Sequence, residues 1–454
     1  MQASAEIVTP SGMPEPERLP LVIGLDGLLR SNLDREVQVS GIASFLHSPR
    51  EALTALVRGG GSIREWLKSL SQIDYSKLPY EPEVLNLALA ARAQARKVYL
   101  ATKQDTAHAA AIAAHFAFDG VIAMDAHGAP IEADDPHAQY LKQTGFDFVG
   151  SAPAAGGLDS PERRTSFRTW LGALRVYQYA KNTLVFVPFL TAHQFNMASL
   201  GNAALAFFAF SAAASSAYLL NDILDLQADR NHPTKRHRAI ASGRLPIASA
   251  LAAVPCLAAA SLVAAAGISG LFLATIVAYL VITVAYSLHL KKMLLIDIIA
   301  LAGLYTTRIL GGAIAINVHL SEWLLIFSLF VFTSLALIKR YGELTMRHGA
   351  GLADPVNRDY RISDLNIVAV LAGACGMNAI TIFSLYISSP TVTDLYSSPA
   401  LLWLLDPLLL YWIGRALMIA HRQEMHDDPI VYTFKDWPSR ITVALMTCVA
   451  LAAI

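Results

Sequence analysis

The 454-residue chain is short of charge. Lys, Arg, Asp and Glu make up 15% of it, against about a quarter in an ordinary soluble domain, which excludes a wholly soluble protein. The shortage is uneven: residues before about 165 read as soluble, and the remainder reads as membrane protein. Neither sign is in excess, with 35 basic and 35 acidic residues, so there is no basic footprint for nucleic acid and no such partner is expected. The three cysteines, Cys256, Cys375 and Cys448, lie in apolar stretches. Their spacing gives neither a disulfide framework nor a metal site, and they read as small packing residues. Met1 to Pro20 is polar and proline-rich, so no signal peptide is expected there.

The soluble part alternates short apolar runs with helical stretches. Leu21 to Asp26, Val98 to Thr102, Gly120 to Asp125 and Phe146 to Val149 read as strands. Ser62 to Ser71 and Thr106 to His115 read as helices between them. That alternation predicts an α/β, Rossmann-like layer with a mainly parallel sheet over residues 1–150. The Pro/Gly-rich run that follows predicts a linker over 151–169. A membrane domain is then expected over 170–454.

Hydropathy predicts about nine apolar spans, near 182–199, 201–220, 247–267, 269–290, 296–316, 323–341, 365–387, 400–420 and 439–454, most of them near the ~20 residues a spanning helix needs. Basic residues fall in one set of connections: Arg230 to Arg244, Lys291 and Lys292, Lys339 to Arg361, and Arg422 to Arg440. The other set, 193–202, 267–270, 317–322 and 388–399, holds no Lys or Arg. The positive-inside rule therefore puts the basic loops and the N-terminal domain in the cytoplasm of a multi-pass protein of the bacterial inner membrane.

On that face lies Tyr218 to Pro246, where an apolar helix ends in Asn221, Asp222, Asp225 and Asp229 and is followed by Arg230, Lys235, Arg236, Arg238 and Arg244. On a continuous helix the three acids share one face, with Asn221 at its edge. Such a set repels itself unless a cation intervenes, and hard oxygen ligands beside a phosphate suit Mg²⁺. Bases close downstream suit the remaining phosphate charge. Arg308 lies about 16 Å further along a helix than Asp297, and an ionisable residue at that depth is a functional candidate by default, or a structural ion pair. Tyr286, Lys291, Arg175 and Lys181 flank the same side; for Arg175 and Lys181, and for Lys339 and Arg340, plain positive-inside anchoring is the alternative.

Two resemblances bear on these residues. The stretch Gly24, Leu25, Asp26, Gly27, Leu28, Leu29 is similar to the opening motif of the haloacid dehalogenase (HAD) superfamily, Asp-x-Asp-Gly-Thr-Leu. The resemblance implies that Gly24 stands where the nucleophile would be and Asp26 where the general acid would be. Thr102 takes the place of the second-strand Ser/Thr, and Lys142 loosely that of the family lysine. Ser151, Ala152 and Pro153 stand where late acidic ligands are expected. Glycine offers no nucleophilic atom, so a retained fold without catalysis is expected, with ligand sensing through Asp26 as the alternative.

From Asn221 to Arg238 the chain resembles the first signature of the UbiA superfamily of intramembrane transferases, Asn-Asp-x-x-Asp-x-x-x-Asp followed by Pro-x-Lys-x-x-Arg. Asn221, Asp222, Asp225, Asp229, Pro233, Lys235 and Arg238 match, while Ala239 replaces a common proline. The resemblance implies an all-α bundle with a cavity open to membrane lipid. Prenyltransferases of the family carry a second Asp-x-x-x-Asp motif, but here Leu301 stands four residues after Asp297. Tyr286, Lys291, Asp297, Tyr305, Arg308 and the stretches Arg175–Pro188 and Asp427–Asp436 look instead like the phosphoribosyltransferase branch. That branch moves 5-phosphoribosyl from phosphoribosyl pyrophosphate to a polyprenyl phosphate. The resemblance assigns catalysis to Asp222, Asp225, Asp229, Lys235 and Arg238, with the three acids on Mg²⁺. It assigns substrate binding to Asn221, Arg175, Lys181, Tyr286, Lys291, Asp297 and Arg308. The alternatives are prenyl transfer from a polyprenyl diphosphate to an aromatic acceptor, and a non-catalytic scaffold or lipid-phosphate binder.

Overall fold

Leu21, Val22 and Ile23 are all buried because each strand face is covered. The computed structural model describes residues 19–47, 63–103, 106–124, 135–149, 165–355, 358–393, 395–425 and 428–454. Asp125, Ser151 to Pro153 and Asp427 lie outside them. The chain divides into two compact units: Met1–Trp170 with Asp222–Ser249, and Leu171–Asn221 with Ala250–Ile454. The charged loop after Asn221 thus groups with the N-terminal residues, although some 50 residues of the other unit precede it in the chain.

Among the described residues the first unit is built on four parallel strands, β1 (Leu21–Gly24), β2 (Val98–Thr102), β3 (Gly120–Ala123) and β4 (Asp147–Val149), in the order β3-β2-β1-β4. Side chains alternate across the sheet as the two-residue period requires. Leu21, Ile23, Val98 and Leu100 join one apolar cluster, and Val22, Tyr99, Ala101 and Ile122 join another. Helices α1 (Leu33–His47), α2 (Ile63–Leu70), α3 (Pro82–Ala93), α4 (Thr106–His115) and α5 (Pro136–Thr144) complete the layers. Two-sided burial explains the near-continuous apolar strands. The strand expected over Leu21 to Asp26 stops at Gly24, and Leu25–Leu28 form a helical turn. Leu25 and Leu28, three apart, both point into the core, a spacing that only the turn satisfies. Asp26 is exposed on that turn and Thr102 is buried at the end of β2.

The second unit is helical. Among the described residues, seven helices are long and apolar enough to cross a membrane: Met197–Leu224, Ile247–Ala266, Gly270–Leu288, Ile296–Ala315, Glu322–Gly349, Ile362–Ile387 and Pro399–His421. Those carrying site residues are labelled α6 (Met197–Leu224), α8 (Ile247–Ala266), α9 (Gly270–Leu288), α10 (Ile296–Ala315) and α11 (Glu322–Gly349), with the short α7 (Leu226–Asn231) between α6 and α8.

The expected count of nine needs correction at both ends. In place of one helix over 182–199 there is a 3₁₀ run, Val176–Phe186, then a short helix, Val187–Thr191. Pro188 sits at its start and His193 takes a positive φ of 52°. Asn196 then caps the next helix by accepting from the Ser199 N–H at 2.8 Å, so the chain restarts instead of continuing. The last apolar helix, Trp437–Ala453, has 17 residues. Gly312 on α10 admits the 3₁₀ run closely: a Cβ there would lie 2.1 Å from the Val185 carbonyl oxygen.

Candidate functional site

The acid motif does not lie on one continuous helix. α6 ends at Leu224, and Asp225 is a turn residue that precedes α7. The break lets the acids converge in another way. Arg238 Nη1 lies 3.0 Å from Asp222 Oδ1 and 2.7 Å from Asp229 Oδ2, and both carboxylates are nearly sealed from solvent. Burial works against the Arg238 charge, but the fields of Asp222, Asp229 and Asp225 outweigh it and raise the guanidinium pKa. Burial lifts the Asp229 carboxyl above its usual range, against the pull of Arg238.

Carboxylate oxygens suit a hard divalent cation in kind, and two of them, from Asp222 and Asp229, meet at one point that already attracts positive charge. In this structure Arg238 supplies that charge. Among the described residues no three His, Cys, Asp or Glu side chains meet in a metal-holding arrangement. Asn221 is half-buried at the end of α6, and Lys235 is exposed in a 3₁₀ turn, Lys235–His237.

The loop is pinned by contacts that sequence reading passed over. Arg230, the residue after Asp229, is buried and donates through Nη1 and Nη2 to the two oxygens of Glu36, at 2.7 and 2.5 Å. Its Nε donates to the Ala241 carbonyl at 3.1 Å. No local pattern marks Glu36 as the partner, because 194 residues separate the two.

In the second unit, Lys181 and Asn182 come from the 3₁₀ run, and Tyr305 and Arg308 from α10. Asp428 Oδ2 is 3.0 Å from Lys181 Nζ and 3.1 Å from Lys339 Nζ. The Tyr305 hydroxyl donates to the same carboxylate at 3.0 Å. Lys339 is therefore an ion-pair partner and not simply an anchor. Asp428 is held well below the usual carboxylate range by the two lysines, although burial opposes them. Lys181 is pushed down to about 8, first by burial and then by its cationic neighbours Lys339 and Arg308, against the pull of Asp428. Arg308 is buried and donates to Asn182 Oδ1 at 2.7 Å, to the Tyr279 hydroxyl at 2.8 Å and to the Leu304 carbonyl. These partners are all neutral, so among the described residues the three cations outnumber the one acid. Arg175 stacks over the Tyr218 ring at 4.8 Å.

Asp297, expected to bind substrate, is engaged by protein partners. It is fully buried on α10, paired at 2.9 Å with the equally buried Arg340 of α11. Tyr360 donates to its other oxygen at 2.7 Å. Arg340, expected at the membrane surface as an anchor, is the largest fully buried side chain of the protein's described core. It also pairs with Glu343. Arg358 approaches Asp297 at 3.5 Å and donates to Tyr286 at 3.4 Å. Lys291 is half-buried in a short 3₁₀ turn, Leu290–Lys292.

The UbiA prenyltransferase family matches residues 183–437, more than half of the chain. The uncharacterized protein y4nM of Sinorhizobium fredii is 31% identical over 94% of this chain and 90% of its own length. Nodulation protein NoeC of Azorhizobium caulinodans is 34% identical, covering 61% of this chain and 90% of its own. Decaprenyl-phosphate phosphoribosyltransferase of Corynebacterium glutamicum is 32% identical over 47% of this chain and 68% of its own. Among solved structures, a UbiA homolog from Archaeoglobus fulgidus bound to GPP and Mg²⁺ aligns with 63% of this chain and 99% of its own at a TM-score of 0.49 and 15% identity. With its acid-rich motif, seven apolar helices among the described residues and a family match over most of the helical part, the chain belongs to the UbiA prenyltransferase family and is an integral membrane transferase.

Proposed function

We propose that the protein transfers 5-phosphoribosyl from phosphoribosyl pyrophosphate to a polyprenyl phosphate, with release of pyrophosphate. The observation that carries this reading is the state of Asp297. With Arg340 and Tyr360 on its oxygens and Leu301 four residues on, it is not part of a second acid pair. Among the described residues one acid cluster then remains for a diphosphate, read here as the leaving group of an activated ribose. The named decaprenyl-phosphate phosphoribosyltransferase relative supports the same branch.

In this reading Asp222, Asp225 and Asp229, with Asn221 assisting, would hold Mg²⁺. The metal would supply charge neutralisation of the leaving group. Lys235 and Arg238 stabilise the negative charge that grows as the C1–O bond breaks. The cation-rich group of Lys181, Lys339 and Arg308 suits a phosphate, and Lys291, Arg175 and Tyr286 are further candidates for orienting one. No nucleophilic side chain is required, because a good leaving group and a phosphate acceptor react once positioned. The membrane is the bacterial inner membrane and the N-terminal domain is cytoplasmic. That domain keeps a HAD-like layer without the chemistry of that superfamily.

Prenyl transfer from a polyprenyl diphosphate to an aromatic acceptor is the second reading, favoured by the family's own description. Purified protein is given Mg²⁺, polyprenyl phosphate and radiolabelled phosphoribosyl pyrophosphate. A labelled lipid is the expected product. No labelled lipid, together with consumption of an allylic diphosphate in the presence of an aromatic acceptor, establishes the second reading instead.

A further inference from the structure

We propose that the N-terminal domain holds the charged loop of the transferase in its diphosphate-binding shape, with Glu36 as a positioning residue acting through Arg230. The inference rests on the reading of Asp222, Asp225 and Asp229 as the diphosphate site.

Three chain segments meet on one guanidinium. Nη1 and Nη2 of Arg230 engage both oxygens of Glu36 on α1. Its backbone belongs to α7, directly after Asp229. Its Nε holds the Ala241 carbonyl on the returning limb of the loop. Asp229 and Arg238 are ion-paired to each other, and each lies within three residues of a point that Arg230 fixes. The Ser242 hydroxyl donates back to the Arg238 carbonyl at 2.8 Å, so the turn carrying Arg238 is continuous with the pinned limb. A bidentate pair sealed from water tolerates little misalignment, because either charge left alone is costly.

A second contact works without charge. Gly243 has a φ of +71°, and a Cβ built on it would lie 2.7 Å from the Arg30 Cβ and 3.2 Å from the Pro79 Cβ. Arg30 is itself fixed by Glu81, through Nη2 at 2.8 Å and Nε at 3.2 Å. Ile240, Ala241 and Leu245 are buried beside it in sequence. A domain that carries Gly24 at the nucleophile position needs no chemistry of its own for this task.

The test uses the full-length protein. Glu36→Gln keeps the size of the side chain and strands the buried guanidinium, so the loop occupies its competent shape for only part of the time. A ligand that selects that shape then shows an apparent affinity reduced by the occupied fraction. The expected result is a donor KM raised about tenfold, with kcat at saturation and acceptor KM within about twofold of wild type. Glu36→Asp, which keeps the charge, stays nearer to wild type. Without any substrate, amide hydrogen exchange over 230–246 should quicken about tenfold while α10 keeps its wild-type rates. Gly243→Ala should give the same pattern, and it is the variant to read if Glu36→Gln does not fold. Unchanged exchange over 230–246 overturns the proposal, and so does a lowered thermal midpoint with donor KM unmoved. If wild-type protein makes no phosphoribosyl lipid, the donor assignment fails, and exchange still decides the role of Glu36.

Discussion

Replacing Asp297 tests whether this acid serves the fold or the substrate. In Asp297→Asn, Arg340 keeps Glu343 but loses its buried countercharge, while the amide oxygen can still accept from Tyr360. Breaking a buried pair from one side costs about 3–5 kcal/mol. For a helical unit of this size, at ~2–4 °C per kcal/mol, the thermal midpoint should fall by on the order of 10 °C. Arg340→Met should cost towards the lower end, about 3 kcal/mol, because Arg358 still approaches Asp297 at 3.5 Å. The pair Asp297→Leu with Arg340→Met removes both charges and fills their space. Such apolar replacements are often neutral or better, so the double variant should recover most of the loss, with a coupling energy of about 2 kcal/mol or more. The assay is thermal unfolding of detergent-solubilised protein, alongside turnover measured well below every midpoint. An Asp297→Asn protein whose midpoint stays within about 2 °C of wild type but which no longer turns over would refute the reasoning, because the carboxylate would then be acting on the substrate.

Other consequences can be checked with the same material. Asp225→Asn should lower transfer by about a hundredfold or more with the thermal midpoint unchanged; wild-type turnover would remove Asp225 from the metal set. Lys181 carries its charge below about pH 8 and loses it above, so KM for a phosphate-bearing substrate should rise about tenfold between pH 7 and 9. In Lys181→Gln that rise should disappear, and an identical pH profile in both proteins would rule out the assignment. The same depressed pKa means that the unfolded chain binds more protons between about 8 and 10.5, so this group's contribution to stability increases with pH across that window. Asp26→Asn, on an exposed helical turn, should leave transfer intact; a collapse in activity would show that the N-terminal domain takes part in the chemistry.

The sequence made plain whatever is local. Apolar runs such as Val98 to Thr102 are strands because both faces are covered, and long apolar stretches are helices because lipid demands it. Asp222, Asp225 and Asp229 stand out because acids are costly at the end of a membrane helix. What stayed hidden depends on partners distant in the chain. Arg340 reads as one more basic residue near a helix end, until Asp297, 43 positions away, is found against it. Glu36 is one of two acids at the start of an ordinary helix. The convergence on Arg238 was illegible because helical periodicity assumes an unbroken helix, and the chain turns at Asp225. Pro188 does signal the interrupted first segment, but total hydropathy over 182–199 masks it.

The distance between Glu36 and Arg230 along the chain also sets an order of events during synthesis. The four strands are complete at Val149, and about 80 residues, including all of α6, must still be translated before Arg230 exists. At ~5–20 residues per second that interval lasts about 4–16 s. Throughout it, the Glu36 carboxylate has no Arg230 guanidinium to meet, and a buried charge left alone is costly. The Glu36–Arg230 pair therefore forms only after α6 has been translated.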